Sequence, residues 1–345
     1  MAKPAAVIVP SRQQLLHHHL MLRRGTMKTE ILDILECPTT RSPLKLISED
    51  RLAADGHTYS IEDGIIRFAP GTDSHEKESG ARGHYEDFGW QRDEDGAFRE
   101  TKAELDMRGL SIAFTRKCIT RLGKYFGQGG KYLLDVGCGP IPHKELLAYG
   151  DRYQKRICLD LSFHALEIAK AQLGDRGVYL QGDVTRLPIK TSSVDAVTCN
   201  HVVYQVPPEL QAAAFKELWR VLKPGGVCVA VYWWQNAQLP RRLGRVARLL
   251  GLRGETQASG DGGERKMPAT SHNQPYPRTW FDAQPWPFQY KYDTFRVVDN
   301  GFMRTYVGDD WRGRRFLDSL FALQVVAPTF CGKYGSMPAI VIRKE

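Results

Sequence analysis

The sequence has no pair of cysteines separated by two residues, although it contains seven cysteines in 345 residues. Such pairs are the usual mark of a structural zinc site or a redox-active disulfide. The chain also lacks an apolar run long enough to cross a membrane, because its most apolar run, Val227 to Trp234, has only the length of a strand. We therefore expect reduced thiols, no bound metal, no transmembrane segment and a cytoplasmic location.

Acidic residues are absent before Glu30, whereas residues 1–26 carry Lys3, Arg12, Arg23 and Arg24. An organelle transit peptide has this composition, and so does translation from an upstream start codon or a cloning remnant. We expect a disordered tail or leader that adds nothing to the chemistry. The formal net charge of +9 is compatible with acidic small molecules, RNA or an anionic membrane, and it selects none of them.

The remaining chain divides into three segments by pattern. Residues 27–70 read as a small α+β module, and residues 71–100 as a linker and active-site cover. Residues 101–345 read as one large domain with a lid insertion at about 235–292. Within that domain strand and helix patterns alternate, which predicts an α/β fold with a parallel, Rossmann-like sheet covered by helices on both faces.

A glycine-containing loop, Leu133 to Pro140, follows the first strand of the large domain. Gly137 and Gly139 suit a tight turn that a ligand approaches closely, since glycine tolerates unusual dihedral angles. A dinucleotide site would need a third glycine three residues after Gly139, and Pro142 occupies that position. The loop therefore favours an adenosine cofactor without a pyrophosphate.

Two carboxylates fit the same ligand. Asp160 ends the next strand about 20 residues beyond the glycines, where an acid can accept both ribose hydroxyls. Asp183 follows the third strand, where it can accept a hydrogen bond from an adenine amino group while Val184 packs on the ring. The alternative for each acid is a helix N-cap or a turn residue.

These motifs closely resemble those of class I S-adenosylmethionine-dependent methyltransferases, in particular the type 11-like domain, over about Tyr85 to Trp234. The resemblance extends to the turn Leu222-Lys223-Pro224-Gly225-Gly226. It implies S-adenosylmethionine as cofactor and a seven-stranded, mostly parallel sheet with an antiparallel last strand. Ile141 departs from the family pattern, which often has glycine there. The implied cofactor-binding residues are Asp135, Gly137, Cys138, Gly139, Asp160, Leu161, Asp183, Val184 and Asn200.

The acceptor side is less defined by the sequence. His201 follows the fourth strand and is a candidate general base. The alternative is that His201 only shapes the pocket. Tyr204 is a candidate for orienting the acceptor. Tyr85 resembles an aromatic residue that relatives place over the methyl group, or it is packing. The aromatic segment Trp280 to Phe288 predicts a lid. The arginine-rich segment Leu239 to Gly254 predicts an amphipathic helix with a solvated face, or a surface that contacts membrane or RNA.

The N-terminal module resembles the zinc-ribbon-like activator domain of tRNA methyltransferases, through Leu35-Glu36-Cys37-Pro38 and Asp63-Gly64-Ile65. Zinc-bearing members have a second cysteine three positions after the first, where Thr40 stands here. Since one cysteine cannot hold a structural zinc, we expect a module without metal.

Together these features predict a methyltransferase that acts on an oxygen, nitrogen or carbon nucleophile of a small-molecule acceptor. An RNA (tRNA or rRNA) or protein acceptor is the first alternative, favoured by the N-terminal module and the basic charge. A non-catalytic cofactor-binding scaffold is the second, favoured by Ile141. The sequence determines neither the acceptor nor the oligomeric state.

Overall fold

The computed structural model describes residues 30–68, 81–94, 96, 98–254 and 273–345. The predicted tail, residues 71–80 of the predicted linker and cover, and the middle of the predicted lid lie outside these ranges. All structural statements below concern the described residues.

The described strands form one eleven-stranded sheet with the order β1-β2-β3-β4-β7-β6-β5-β8-β9-β11-β10. In chain order the strands are β1 (Lys45–Ser48), β2 (Arg51–Ala54), β3 (His57–Glu62), β4 (Ile65–Arg67), β5 (Gly130–Val136), β6 (Tyr153–Asp160), β7 (Gly177–Gln181), β8 (Val194–Asn200), β9 (Leu222–Val231), β10 (Gln289–Arg296) and β11 (Met337–Arg343).

The predicted α/β fold is confirmed. Strands β5 to β9 are mutually parallel, and β11 runs antiparallel between β9 and β10. The central strands are almost fully buried, as expected for a parallel sheet covered on both faces. This arrangement brings the carboxyl ends of β5, β6, β7 and β8 to one edge.

Residues 45–67 extend this sheet, and they are not the separate module that the sequence predicted. β4 pairs in parallel with β7, from Ile65 opposite Tyr179 to Arg67 opposite Gln181. Two Asp-Gly turns with positive φ at both residues join the antiparallel strands β2, β3 and β4. The buried apolar side chains of β2, β3 and β4 contribute to a core that they share with the large domain.

Charged side chains also join the N-terminal strands to the body of the protein. Glu36 accepts hydrogen bonds from Arg41 and from Arg220, at 2.9 and 3.1 Å. Glu217 in turn pairs with both arginines. Cys37 is buried, with its Sγ 3.0 Å from Tyr59 Oη. No cluster of three or more histidine, cysteine or acidic side chains with metal-binding geometry occurs in the described ranges.

Helices cover both faces of the sheet. In chain order they are α1 (Ala81–His84), α2 (Arg99–Glu104), α3 (Gly109–Leu122), α4 (Lys144–Leu147), α5 (Phe163–Leu173), α6 (Pro208–Arg220), α7 (Gln238–Leu249), α8 (Arg278–Asp282), α9 (Asn300–Tyr306), α10 (Trp311–Val326) and α11 (Pro328–Tyr334). α3 and α10 contribute to one apolar core and α6 to another. Among the helices that the structure describes, none has both the length and the apolar character needed to cross a bilayer.

The aromatic segment predicted as a lid belongs largely to the core instead. Phe281 is fully buried and packs its ring against Phe215 of α6, at 5.0 Å, and against Trp286, at 4.7 Å. Residues 289–292 begin the edge strand β10. Large aromatic side chains are stabilised by the area they bury, and the face of α6 provides that area. Gln274 approaches the loop after β8, donating its N–H to the Tyr204 carbonyl.

Candidate active site

The glycine loop turns at the end of β5 with two left-handed glycines. The φ angles of Gly137 and Gly139 are 63° and 51°, values that glycine adopts without strain. A Cβ atom on Gly137 would lie 2.1 Å from Val202 Cγ2, so the loop also needs glycine for space. The N–H groups of Gly137 and Cys138 donate to the Leu159 carbonyl and hold the loop against β6.

Ile141 is a third left-handed residue in this loop, with a φ angle of 53°. Its side chain is 2% exposed and packs in a small core with Cys138, Cys158 and Leu166. The backbone therefore has a conformation that favours glycine, while the side chain fills a core position. A left-handed β-branched residue is strained, and its burial offsets that strain.

Asp160 is bound to the glycine loop through its carboxylate. Its Oδ2 accepts the Gly139 N–H at 2.8 Å, and its Oδ1 accepts the Ser162 N–H at 2.9 Å. The N-cap of α5 is Ser162, whose hydroxyl accepts the Ala165 N–H at 3.1 Å. The Asp160 carboxylate therefore ties the glycine loop to the residue at which α5 begins. The neighbouring Leu161 carbonyl accepts Gln181 Nε2.

Asp183 has the capping role that the alternative interpretation gave it. Its Oδ1 accepts the Thr185 N–H at 2.7 Å, at the start of a short 3₁₀ turn, Val184–Arg186. Val184 is buried in the core beside this turn. The second carboxylate oxygen of Asp183 keeps its acceptor capacity at the end of β7.

Asp135, predicted to bind the cofactor, forms a buried ion pair in the structure. Its Oδ2 accepts hydrogen bonds from Nε and Nη2 of Arg156, and both side chains are nearly inaccessible. Sequence analysis missed this partner, which lies on the adjacent strand. The available signal was an arginine directly before the apolar residues Ile157 to Leu159 of β6.

Tyr85 and Trp90 lie over the glycine loop. Their rings stack at 5.3 Å with an interplanar angle of 17°, and Tyr85 Oη donates to Gln205 Oε1 at 3.0 Å. The Trp90 ring lies 3.1 Å from the position that a Cβ on Gly139 would occupy. Burial, followed by the charge of Glu100, raises the pKa of the Tyr85 phenol, which therefore stays protonated at neutral pH. Sequence analysis did not identify Trp90 as part of this cover.

Beside Ile141 the cover and α5 border an open cleft of about 490 Å³. Arg92 and Phe98 line it from the cover, and Ile168 and Gln172 line it from α5.

Asn200 and His201, at the end of β8, line a cavity of about 70 Å³. Thr115 and Ile119 of α3, His143, Phe295 and Arg296 also line it. Burial, then the charges of Arg296 and His143, lowers the pKa of His201 to about 3. An effective general base has a pKa near the working pH, so this geometry favours the pocket-shaping role of His201. Tyr204 is buried with its ring centroid 6.2 Å from that of His201.

Residues 134–230 match the family model described as a methyltransferase domain. The chain is 41% identical over 145 residues to a demethylmenaquinone methyltransferase of Lactococcus lactis subsp. lactis, which covers 39% of this chain and 56% of that relative. It is 29% identical over 142 residues to the demethylmenaquinone methyltransferase of Geobacillus stearothermophilus, which covers 39% of this chain and 60% of that relative.

Among solved structures, a SAM dependent methyltransferase from Archaeoglobus fulgidus aligns with a TM-score of 0.42 at 17% identity, covering 71% of this chain and 97% of that one. The chain spans between half and two thirds of the length of the two curated relatives. The segment that matches the methyltransferase domain model runs from β5 into β9 and contains the glycine loop, Asp160 and Asp183.

Proposed function

We propose that this chain is an S-adenosylmethionine-dependent methyltransferase that transfers a methyl group to a small-molecule acceptor. The observation that carries the proposal is the hydrogen bond from Gly139 to Asp160, which joins the glycine loop to an acid at the end of the adjacent parallel strand. The match of residues 134–230 to a methyltransferase domain model supports it. The curated relatives named demethylmenaquinone methyltransferases favour a small-molecule acceptor. A cytoplasmic location is part of the same proposal.

The residues at this edge of the sheet fit that cofactor. The left-handed backbone at Gly137 and Gly139 turns the loop tightly at the end of β5. Asp160 accepts the ribose hydroxyls, and the second oxygen of Asp183 accepts the adenine amino group while Val184 packs on the ring. The cofactor supplies an electrophilic methyl group on a sulfonium.

The protein's own contribution to methyl transfer is alignment and exclusion of water. Tyr85 and Trp90 cover the loop, and Asn200 and His201 bound the space at the end of β8. Positioning of this kind supplies much of the rate in a displacement reaction. Because the lowered pKa makes His201 a weak base, the proposed acceptor reacts without losing its proton to this residue.

Titration calorimetry of the full chain with S-adenosylhomocysteine tests the proposal. We expect binding, and we expect Asp160→Asn to weaken it by about tenfold to a hundredfold, because a hydrogen bond to a charged acceptor contributes roughly 1.5–3 kcal/mol. The matched control is Asp151→Asn, at an exposed aspartate on the turn before β6, which should leave affinity unchanged.

Absence of binding by the wild-type chain would overturn the proposed function. Equal loss of affinity in both variants would remove the specific role of Asp160. Binding of bulk tRNA that falls steeply with salt would favour an RNA acceptor instead.

A further inference from the structure

Arg296 is a buried cation at the end of β10. Its side chain is 1% exposed and lines the cavity that Asn200 and His201 border. Within the described ranges no carboxylate lies within ion-pair distance of its guanidinium, whereas the buried Arg121 and Arg156 each have an aspartate partner. Buried arginines are normally paired, because an isolated charge is costly to remove from water.

The hydrogen bonds of Arg296 leave one edge of its guanidinium nearly unused. Nη1 donates to Thr115 Oγ1 at 3.0 Å and to Asn300 Oδ1 at 2.8 Å. Among the described residues, Nη2 donates only to the thioether sulfur of Met337, at 3.3 Å, which is a weak acceptor. Nε is buried, and the same part of the chain offers it no hydrogen-bond partner. The Nε and Nη2 groups form the planar fork that binds a carboxylate through two parallel hydrogen bonds.

The acids nearest to Arg296 are already engaged elsewhere. Asp106 accepts Arg108 Nε at 2.8 Å and Ser111 Oγ at 2.6 Å. Asp299 accepts the Phe302 N–H and the Ser336 hydroxyl. Their charges therefore reach Arg296 only through space. Burial lowers the pKa of His201 and His143, so both rings are neutral at pH 7 and neither cancels nor adds to the charge of Arg296.

We propose that this cavity receives a carboxylate group of the methyl acceptor, bound by the Nε and Nη2 edge of Arg296. The inference rests on the proposed function and names its substrate class: a small molecule that carries a carboxylic acid. The volume of about 70 Å³ is several times the roughly 10–15 Å³ that one water molecule needs, so a carboxylate group fits. Asn200 and His201 line the same cavity, so the bound acid lies beside the strand ends of the candidate active site.

Two matched pairs of compounds test this site on the full chain: benzoate against benzamide, and butyrate against butyramide. Each pair has nearly the same shape and differs in charge. We expect each acid to bind about tenfold to a hundredfold more tightly than its amide. The Nε–H NMR resonance of Arg296 is identified as the arginine resonance that is missing from the spectrum of Arg296→Lys. We expect a saturating concentration of either acid to shift this resonance, and we expect the amides to leave it unchanged.

Variants assign the binding to Arg296. Arg296→Met should abolish the preference for acids, whereas Thr115→Val removes a hydroxyl that Arg296 contacts, keeps the charge and should retain most of the preference. Arg121→Lys is the matched control, at a buried arginine on the same α3–β10 interface that already pairs with Asp293; it should change nothing.

Equal affinity for acids and amides, or a preference that survives in Arg296→Met, would overturn the inference. If circular dichroism shows that Arg296→Met does not fold, the Nε–H resonance of the wild-type protein provides the test. A resonance that does not shift at saturating benzoate would then overturn the inference. Calorimetry with S-adenosylhomocysteine separates the two proposals. Its failure overturns the methyltransferase function, while intact cofactor binding without acid preference overturns the carboxylate site alone.

Discussion

At the scale of single residues, Ile141 combines a backbone conformation that favours glycine with a buried apolar side chain. Truncation to alanine removes about 2–5 kcal/mol of packing and leaves the strained left-handed backbone. Truncation to glycine removes the same packing and also relieves about 1–2 kcal/mol of backbone strain. We therefore expect Ile141→Gly to be more stable than Ile141→Ala by about 1 kcal/mol, measured by urea unfolding.

Elsewhere in ordered structure an alanine variant is usually more stable than the glycine variant at the same position, because glycine loses more conformational freedom on folding. The pair Ile168→Ala and Ile168→Gly, within α5, provides that comparison in the same protein. If alanine were the more stable substitution at both positions, the left-handed conformation of residue 141 would be contradicted.

His201 predicts a pH dependence of stability. Its pKa is lowered to about 3 in the folded protein, first by burial and then by the charges of Arg296 and His143, whereas an unfolded histidine has a pKa of about 6.5. The unfolded chain therefore binds a proton below pH 6.5 that the folded chain rejects, and stability falls as the pH decreases. Above pH 6.5 this contribution is complete and constant.

The test compares the free energies of unfolding of the wild type and His201→Asn at pH 7 and pH 5. Asparagine tolerates the left-handed backbone of residue 201, whose φ angle is 62°. Between pH 7 and pH 5 we expect the free energy of unfolding of the wild type to fall by about 2 kcal/mol more than that of the variant. His143 also has a lowered pKa and is present in both proteins, so only the difference reports on His201. Equal losses would mean that His201 titrates normally.

At the scale of secondary-structure elements, the turn between β3 and β4 depends on Gly64. Its φ angle is 74°, and an added Cβ would meet only Lys170 Nζ, at 3.8 Å. Gly64→Ala therefore adds backbone strain without a clash. We expect the free energy of unfolding, measured by thermal denaturation, to decrease by about 1 kcal/mol. The control is Gly109→Ala at the start of α3, where a Cβ would meet nothing and φ is not positive. For this control we expect the free energy of unfolding to increase by about 0.4–1 kcal/mol.

The elements differ in how far the sequence predicted them. The Asp-Gly turn at Asp63 and the strand Tyr132 to Val136 follow from local patterns, and both are present in the structure. Local patterns did not predict the position of the aromatic segment, because the spacing of aromatic residues along the chain does not distinguish a lid from a core layer. The position of Phe281 depends on α6, which lies more than sixty residues earlier in the chain.

At the scale of the whole molecule, β1 to β4 and the large domain share one sheet and one core. We expect them to unfold together. Hydrogen exchange at increasing urea should expose peptides from β3–β4 and from β6–β7 at the same concentration, because loss of the β4–β7 pairing uncovers Leu180 and Ile66 on both sides.

Peptides from the end of α7 serve as the contrast. Leu249 there is 88% exposed, so this helix end should exchange at lower urea. Exchange of β1–β4 before β6–β7 would show an independent N-terminal module, as the sequence alone suggested.

The sequence by itself determined the α/β class, the glycine loop and the order of acids at the strand ends, because these depend on local dihedral preferences and on the alternation of strand and helix. It did not determine which partner each acid takes. Asp160 contacts the loop, Asp183 caps a turn and Asp135 pairs with Arg156, although all three follow similar patterns. The partner of Asp183 is local, whereas Asp160 and Asp135 pair with residues more than twenty positions away, and only the tertiary structure decided those two pairings. The same holds for Arg296: its lack of a carboxylate partner within the described part of the chain is a property of the side chains packed around it, and no local pattern encodes it.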